Sequence, residues 1–220
     1  MRLAIALCMI GLFTRPSWAQ GGHVAAGGGL SLGTGGPAPA VTVAAGYQPS
    51  PRIGFALELS VIPELDFGRR ELPEILSITP LPALPKTVLT STGGLTAVQV
   101  DVIVPITTAG KLRISAVAGG GTASLRTRIH LHRDAFTFPT FPGVSLPESF
   151  VLPPLPPLTL PAQDLTQTGT TTGLALNTGA LLDYALSAKI GFGVDVRYLH
   201  TSASRDIDIA RTLARVVWRF

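Results

Sequence analysis

The sequence predicts an all-β chain: an eight-stranded antiparallel up-and-down transmembrane β-barrel, preceded by a cleavable signal peptide. Three observations lead there. Arg205 to Phe220 alternates: Ala210, Thr212, Ala214, Val216, Trp218 and Phe220 fall on one face and Arg211, Arg215 and Arg219 on the other. A period of two is the mark of a strand. The chain is 46% apolar and only 14% charged, yet no run of about 18 uncharged apolar residues follows the N-terminus, so no helix would span a bilayer. Finally, the charged residues of the strand-like segments keep to the side opposite the apolar ones. In lipid every backbone polar group must be satisfied internally, so spanning strands must close into a barrel.

Met1 to Ala19 reads as a secretory signal: Arg2, an apolar core from Leu3 to Phe13, Pro16, then the small-x-small site Ser17-Trp18-Ala19. Residues 20–220 form the expected barrel domain. Cys8 lies inside the signal after Leu7, which argues against a lipoprotein anchor, and leaves the mature chain without disulfide or thiol chemistry. The formal charge of +4 falls to about +2 without Arg2 and Arg15, too weak to suggest nucleic acid.

Eight segments follow. The first, about His23 to Leu32, places Val24, Ala26, Gly28, Leu30 and Leu32 on one side; Gly33 to Pro37 turns the chain. The second, about Ala40 to Gln48, faces Val41, Val43, Ala45 and Tyr47 outward, and Pro49-Ser50-Pro51 turns again. The third, Arg52 to Ile62, sets Ile53, Phe55, Leu57, Leu59 and Val61 against Gly54, Ala56, Glu58 and Ser60. The fourth, about Leu95 to Val104, sets Val98, Val100, Val102 and Val104 against Gln99 and Asp101. After a turn at Thr107 to Gly110, the fifth runs from Lys111 to about Ile129, with Leu112, Ile114, Ala116 and Ala118 opposite Arg113 and Ser115. The sixth, about Thr171 to Leu186, opposes Leu174, Leu176, Ala180, Leu182 and Tyr184 to Asn177 and Asp183. Ser187-Ala188 is a minimal turn. The seventh, Lys189 to His200, opposes Ile190, Phe192, Val194, Val196 and Tyr198 to Asp195 and Arg197, and the C-terminal segment is the eighth.

An even strand number with short turns at one end and long loops at the other is the pattern of bacterial single-chain barrels. The connections near 63–94 and 130–170 are long, which makes them extracellular and the short turns periplasmic. Glu58, Asp101, Arg113, Asp183, Asp195, Arg197, Arg211, Arg215 and Arg219 share the non-apolar parity. A basic residue facing lipid at the midplane costs roughly 2–4 kcal/mol, so that face is the lumen. Arg126, Arg128, Asp206 and Asp208 break the parity, about a dozen or more residues from the periplasmic end, where a tilted strand has left the membrane. Tyr47, Phe55, Tyr184, Phe192, Trp218 and Phe220 gather at the short-turn end as an aromatic girdle. A soluble sandwich, the competing fold, does not explain that clustering.

Both long loops are proline-rich: Leu72-Pro73-Glu74 leads into Pro80 to Pro85, and Leu146-Pro147-Glu148 into Pro153 to Leu158. Such spacing favours extended polyproline-like backbone. The loops are expected either as stiff surface segments or as an apolar cap that meets a partner or lipid.

An eight-stranded interior is about wide enough for side chains to fill. Four acids facing five arginines are read as a salt-bridge network plugging the lumen, with a narrow ion-selective path as the alternative; glycines and alanines on the inner faces of the first and fifth segments leave room for one. His130-Leu131-His132 puts two imidazoles on one side, but no third metal ligand is identifiable by spacing. His130, His200, Ser115 and Ser124 are the residue types a lipid A-modifying enzyme would use, without a triad being implied. No Walker, Rossmann or G-x-S-x-G context is present, and neither catalytic residues nor cofactors are assigned.

The alternation of Ala214, Val216, Trp218 and a final Phe220 resembles the C-terminal assembly signal of outer-membrane barrels. Together with the signal peptide and the strand pattern, the chain resembles the OmpA-type or OmpW-type superfamily of small outer-membrane β-barrel domain proteins; stopping at Phe220, it is expected to lack the peptidoglycan-binding domain of full-length OmpA proteins. The resemblance implies export to the outer membrane of a Gram-negative cell envelope. Its partners there would be outer-membrane lipid, lipopolysaccharide and the barrel-assembly machinery, with no nucleic acid, and the barrel is expected to be monomeric. Its job is left open between a structural or surface-interaction role, a porin-like narrow channel for small or hydrophobic solutes, and lipid A modification.

Overall fold

The computed structural model describes residues 21–33, 35–72, 87–137, 159–203 and 206–220. The expected signal peptide and most of both proline-rich runs lie outside the described residues. Among the described residues there are ten strands: β1 (Gly21–Gly33), β2 (Gly36–Ser50), β3 (Ile53–Leu72), β4 (Thr87–Ala109), β5 (Leu112–Arg133), β6 (Phe136–Thr137), β7 (Thr159–Leu160), β8 (Gln163–Ala185), β9 (Ile190–Ser202) and β10 (Asp206–Arg219). Eight of them close into a barrel in the order β1-β10-β9-β8-β5-β4-β3-β2, while β6 and β7 pair with each other. The seam is antiparallel, from His23↔Arg219 to Leu32↔Ala210. Beyond the last strand, Gly22 and Phe220 exchange two further backbone hydrogen bonds of 3.1 and 3.0 Å. The eight strands of the ring therefore have no open edge among them, which is what lipid requires of strands.

The short turns have local causes. Gly110 takes φ +59° between β4 and β5, a left-handed conformation open to glycine at no steric cost. Between β8 and β9 the Ser187 hydroxyl accepts from the Lys189 and Ile190 amides at 3.3 and 3.0 Å, a serine capping its own turn.

The described residues fall into two compact units. The first comprises residues up to Asp66, Gly93–Thr127 and Gly169–Phe220; the second comprises Phe67–Thr92 and Arg128–Thr168. In the first unit the alternation read from sequence separates two surfaces. Val100 is 57% exposed and Leu57 55%, whereas their chain neighbours Asp101 and Glu58 are 0% and 2% exposed. The barrel is therefore apolar outside and charged inside, the inverse of a water-soluble fold.

One expectation needs correction. The strands run well past the predicted limits: β3 reaches Leu72, β4 begins at Thr87, β5 reaches Arg133 and β8 begins at Gln163. The 63–94 and 130–170 connections are accordingly shorter than expected, and the second contains the β6–β7 pair. The added stretches include Thr87, Thr90, Thr92, Thr166, Thr168 and Thr170. β-Branched threonine favours strand, but with polar residues on both faces no apolar alternation announces it.

The inward glycines also sit against the charged side chains. A Cβ at Gly119 would run into the Asp101 carboxylate and the Val100 carbonyl, and one at Gly179 into Arg197. At these two positions the bare backbone is where the charged side chains lie. Gly119→Val is expected to lower barrel stability by about 1–3 kcal/mol through overpacking. Gly120→Val, on the outward face with the flexible Leu176 Cδ2 at 3.3 Å and the Ala175 carbonyl at 3.6 Å from a Cβ, should stay near wild type; urea midpoints of the refolded barrel compare the two.

Candidate functional site

Inside the barrel every predicted lumen residue except Arg219 is buried, and Arg219 is half-buried. Strand parity brings them together in two groups. In the first, Arg197 on β9 uses its whole guanidinium fork: Nε donates to Asp195 Oδ1 at 2.8 Å, Nη2 to Glu58 Oε2 at 2.8 Å, and Nη1 to Asp101 Oδ2. Three carboxylates from three strands thus converge on one side chain, which the planar five-donor geometry of arginine permits and lysine does not. Arg211 adds bonds to Glu58 and to the Ser60 hydroxyl, with Asp195 Oδ2 at 3.9 Å. The Asn177 amide donates to Asp101 Oδ1 at 2.8 Å.

In the second group Arg215 binds Asp183 through Nε at 3.0 Å and Nη2 at 2.8 and 2.6 Å. Arg113 Nη1 donates to Gln48 Oε1 at 2.8 Å. These contacts lie at two levels: Asp183, Arg113, Arg215 and Arg219 line the short-turn end, and Glu58, Asp101, Asp195, Arg197 and Arg211 meet in the middle.

Ser60, Asn177 and Gln48 complete these contacts and were not among the predicted network. Their signal was available: Ser60 shares the parity of Glu58, Asn177 that of Asp183, and Gln48 alternates with the outward Tyr47. Also missed were the apolar layers flanking the central ions: Ala56, Ile103, Val117 and Leu181 on the short-turn side, and Ile62, Leu95, Leu125, Leu199 and Ile209, all buried, on the other. These residues share the parity of the ions and place them in a low-dielectric sleeve, where paired charges interact strongly and unpaired ones are costly.

On the outer surface the predicted girdle residues sit in cross-strand pairs: Tyr47 opposite Phe55 and Tyr184 opposite Phe192. Ala214, Val216, Trp218 and Phe220 are all exposed on the outer face. Near the opposite end of β9 and β10, His200 Nδ1 lies 2.8 Å from Asp208 Oδ1. Ser115 points into the lumen while His200 faces outward, so these two do not form a nucleophile–base pair.

In the second unit, His132 Nδ1 lies 2.6 Å from Asp164 Oδ1 and Nε2 lies 3.2 Å from Asp134 Oδ1, while His130 Nδ1 meets the Thr166 hydroxyl at 3.1 Å. Among the described residues no group of three or more His, Cys, Asp or Glu is arranged to hold a metal ion. His132 stands about twenty residues from its short turn, beyond the roughly 9–11 that a spanning strand needs. Hydrogen bonds to Asp164 and then Asp134 hold its pKa above the ordinary 6.5. The bond from His132 likewise holds the Asp164 pKa below its ordinary value. Since the folded-state pKa of His132 is raised, its contribution is fully present below pH 6.5 and lost as pH rises through the elevated value. NMR titration of the His132 ring should give a midpoint above 6.5 that drops back toward it in Asp164→Asn.

No protein-family model matches the chain, and no curated protein is similar to it in sequence. Solved structures are similar in fold. A major outer membrane protein from Thermus thermophilus aligns over 92% of this chain and 100% of its own with 12% identity and a TM-score of 0.52. Ail, the attachment invasion locus protein of Yersinia pestis, aligns over 91% and 97% with 11% identity and a TM-score of 0.47. Neisserial surface protein A aligns over 91% and 97% with 14% identity and a TM-score of 0.45. At such identities the likeness is one of fold. The chain shares the fold of the Thermus outer membrane protein, with eight antiparallel strands closed into a barrel.

Proposed function

We propose that this protein is an integral outer-membrane barrel with a structural or surface-interaction role, its lumen plugged by the charged network. The supporting observation is the inversion of surfaces: an apolar exterior around five inward arginines and four inward acids. A continuous path would need the central ions hydrated, whereas Arg197 and its three carboxylates are desolvated between apolar layers. In this reading the outward aromatic residues meet the lipid interface, lipid and lipopolysaccharide surround the barrel, the outward face of β10 is read by the barrel-assembly machinery, and the protein is monomeric.

The competing reading is a narrow channel for small or hydrophobic solutes. Two measurements test the proposal. In envelope fractionation the protein should stay with outer membranes through urea and carbonate extraction; release into the soluble fraction would remove the membrane reading. In planar bilayers the purified protein should give no reproducible openings, and steady unitary conductance would replace the plug with the channel.

A further inference from the structure

The outer face of the last hairpin carries a serine, a histidine and two aspartates side by side. β9 and β10 pair so that Asp208 lies opposite His200 and Asp206 opposite Ser202. Ser202, Asp206 and Asp208 are exposed and His200 is half-buried. His200 Nδ1 is 2.8 Å from Asp208 Oδ1, and the Tyr198 hydroxyl donates to the same carboxylate. A carboxylate at Nδ1 keeps a proton there and leaves the lone pair on Nε2, the state in which an imidazole serves as a base. Ser202 is the next outward position along β9. At about 3.3 Å per residue its Cα is about 6.6 Å from that of His200, a gap that an imidazole spans toward a serine hydroxyl. In free enzymes the bond between base and nucleophile is often open and closes around the substrate.

Position and surroundings select the substrate. His200 lies about ten residues from the start of β9 at Ile190, and a spanning strand needs about 9–11. On the membrane reading, the pair therefore stands where lipid head groups meet acyl chains. Toward β8, Leu176 pairs with His200 and Leu174 with Ser202, and both leucines are exposed, an apolar track for an acyl chain. On the other side Asp206 and Asp208 repel an anionic reacting centre such as a phosphate; an uncharged ester carbonyl meets no such repulsion. We infer that this rim is a serine esterase site for carboxylic esters of membrane lipids, with Ser202 as nucleophile, His200 as general base and Asp208 as positioning residue. Ser202 Oγ attacks the carbonyl carbon while His200 Nε2 takes its proton. The carbon–oxygen bond to the alcohol breaks, and the alcohol leaves with that proton. Water then gives a proton to Nε2 and its oxygen to the acyl carbon, the bond to Ser202 Oγ breaks, and the fatty acid departs as the proton returns to Ser202.

The test uses the chain from residue 20 refolded in zwitterionic detergent micelles. An alkyl fluorophosphonate, which modifies activated serines, is read by peptide mass spectrometry, and hydrolysis of p-nitrophenyl laurate is followed alongside. Wild type should be labelled at Ser202 and should hydrolyse the ester. Ser202→Ala should abolish both, and His200→Gln should slow both about 10²–10⁴-fold, the worth of a general base. Asp208→Asn should lower kcat with KM little changed, and Asp208→Glu should recover part of the loss, a pattern that a merely structural aspartate would not give. Ser115→Ala, which alters a buried lumen serine, should react as wild type does. An unlabelled wild type, a label on another serine, or an unchanged rate in a His200→Gln barrel whose heat-modifiable migration shows it folded overturns the inference. A protein that stays with outer membranes and does not conduct, yet takes no label, defeats this inference and leaves the proposed function standing.

Discussion

Replacing Arg197 with methionine should destabilise the barrel by about 3–5 kcal/mol, because breaking a buried ion pair strands its partner. Here three partners are stranded at once: Glu58, Asp101 and Asp195 all use Arg197, and only Arg211 remains near them. Against a total stability of about 5–15 kcal/mol for an ordinary domain, such a loss is decisive. Arg197→Lys should recover little, since one ammonium cannot present a planar fork to three carboxylates. Adding Asp101→Asn and Asp195→Asn to Arg197→Met should restore part of the loss, because neutral amides are cheaper to bury than unpaired carboxylates. Urea unfolding in micelles, read through Trp218 in a chain that begins at residue 20 and so lacks Trp18, measures the series. A shift within about 0.5 kcal/mol for Arg197→Met, the range of surface substitutions, would show that the ions are solvated and the lumen open.

The barrel was legible because lipid imposes a strong rule on each spanning residue. Val98 to Val104 and Phe55 to Leu59 alternate with Asp101, Gln99, Ala56 and Glu58, and a single register satisfies both sides. Parity assigns each charge to one face of its strand. It could not predict which of them touch, because contact depends on height along the barrel as well as on face. Asp183 and Asp195 have the same parity, yet Asp183 pairs with Gly193 and Asp195 with Leu181, which leaves them at different levels and in different ion groups. The strand extensions were illegible for the opposite reason. Around Thr90 and Thr168 no apolar face is needed, so the chain pairs without leaving a periodic trace. His132 and Asp164 lie there, 32 residues apart in sequence, and only the pairing of the two strands brings them within 2.6 Å.

The outer surface yields the second large effect, and it separates a membrane barrel from a soluble one. On β4 the outward residues Val98, Val100, Val102, Val104 and Ile106 form an unbroken apolar run, bounded by Thr96 and Thr108. At a rise of about 3.3 Å per residue and a tilt near 40°, this run matches the roughly 25 Å apolar band of an outer-membrane barrel, with Val102 at its centre. Val102→Arg should therefore cost about 2–4 kcal/mol, and Ile106→Arg about 0–1 kcal/mol, because the penalty falls toward the interface. In water the order has no reason to exist: an exposed strand valine replaced by arginine changes stability by about 0.5 kcal/mol or less, wherever it sits. Reversible urea unfolding in phospholipid vesicles measures both variants. A depth-dependent penalty follows from lipid around the barrel, and equal, negligible costs at the two positions would mean that the apolar exterior serves something other than a bilayer.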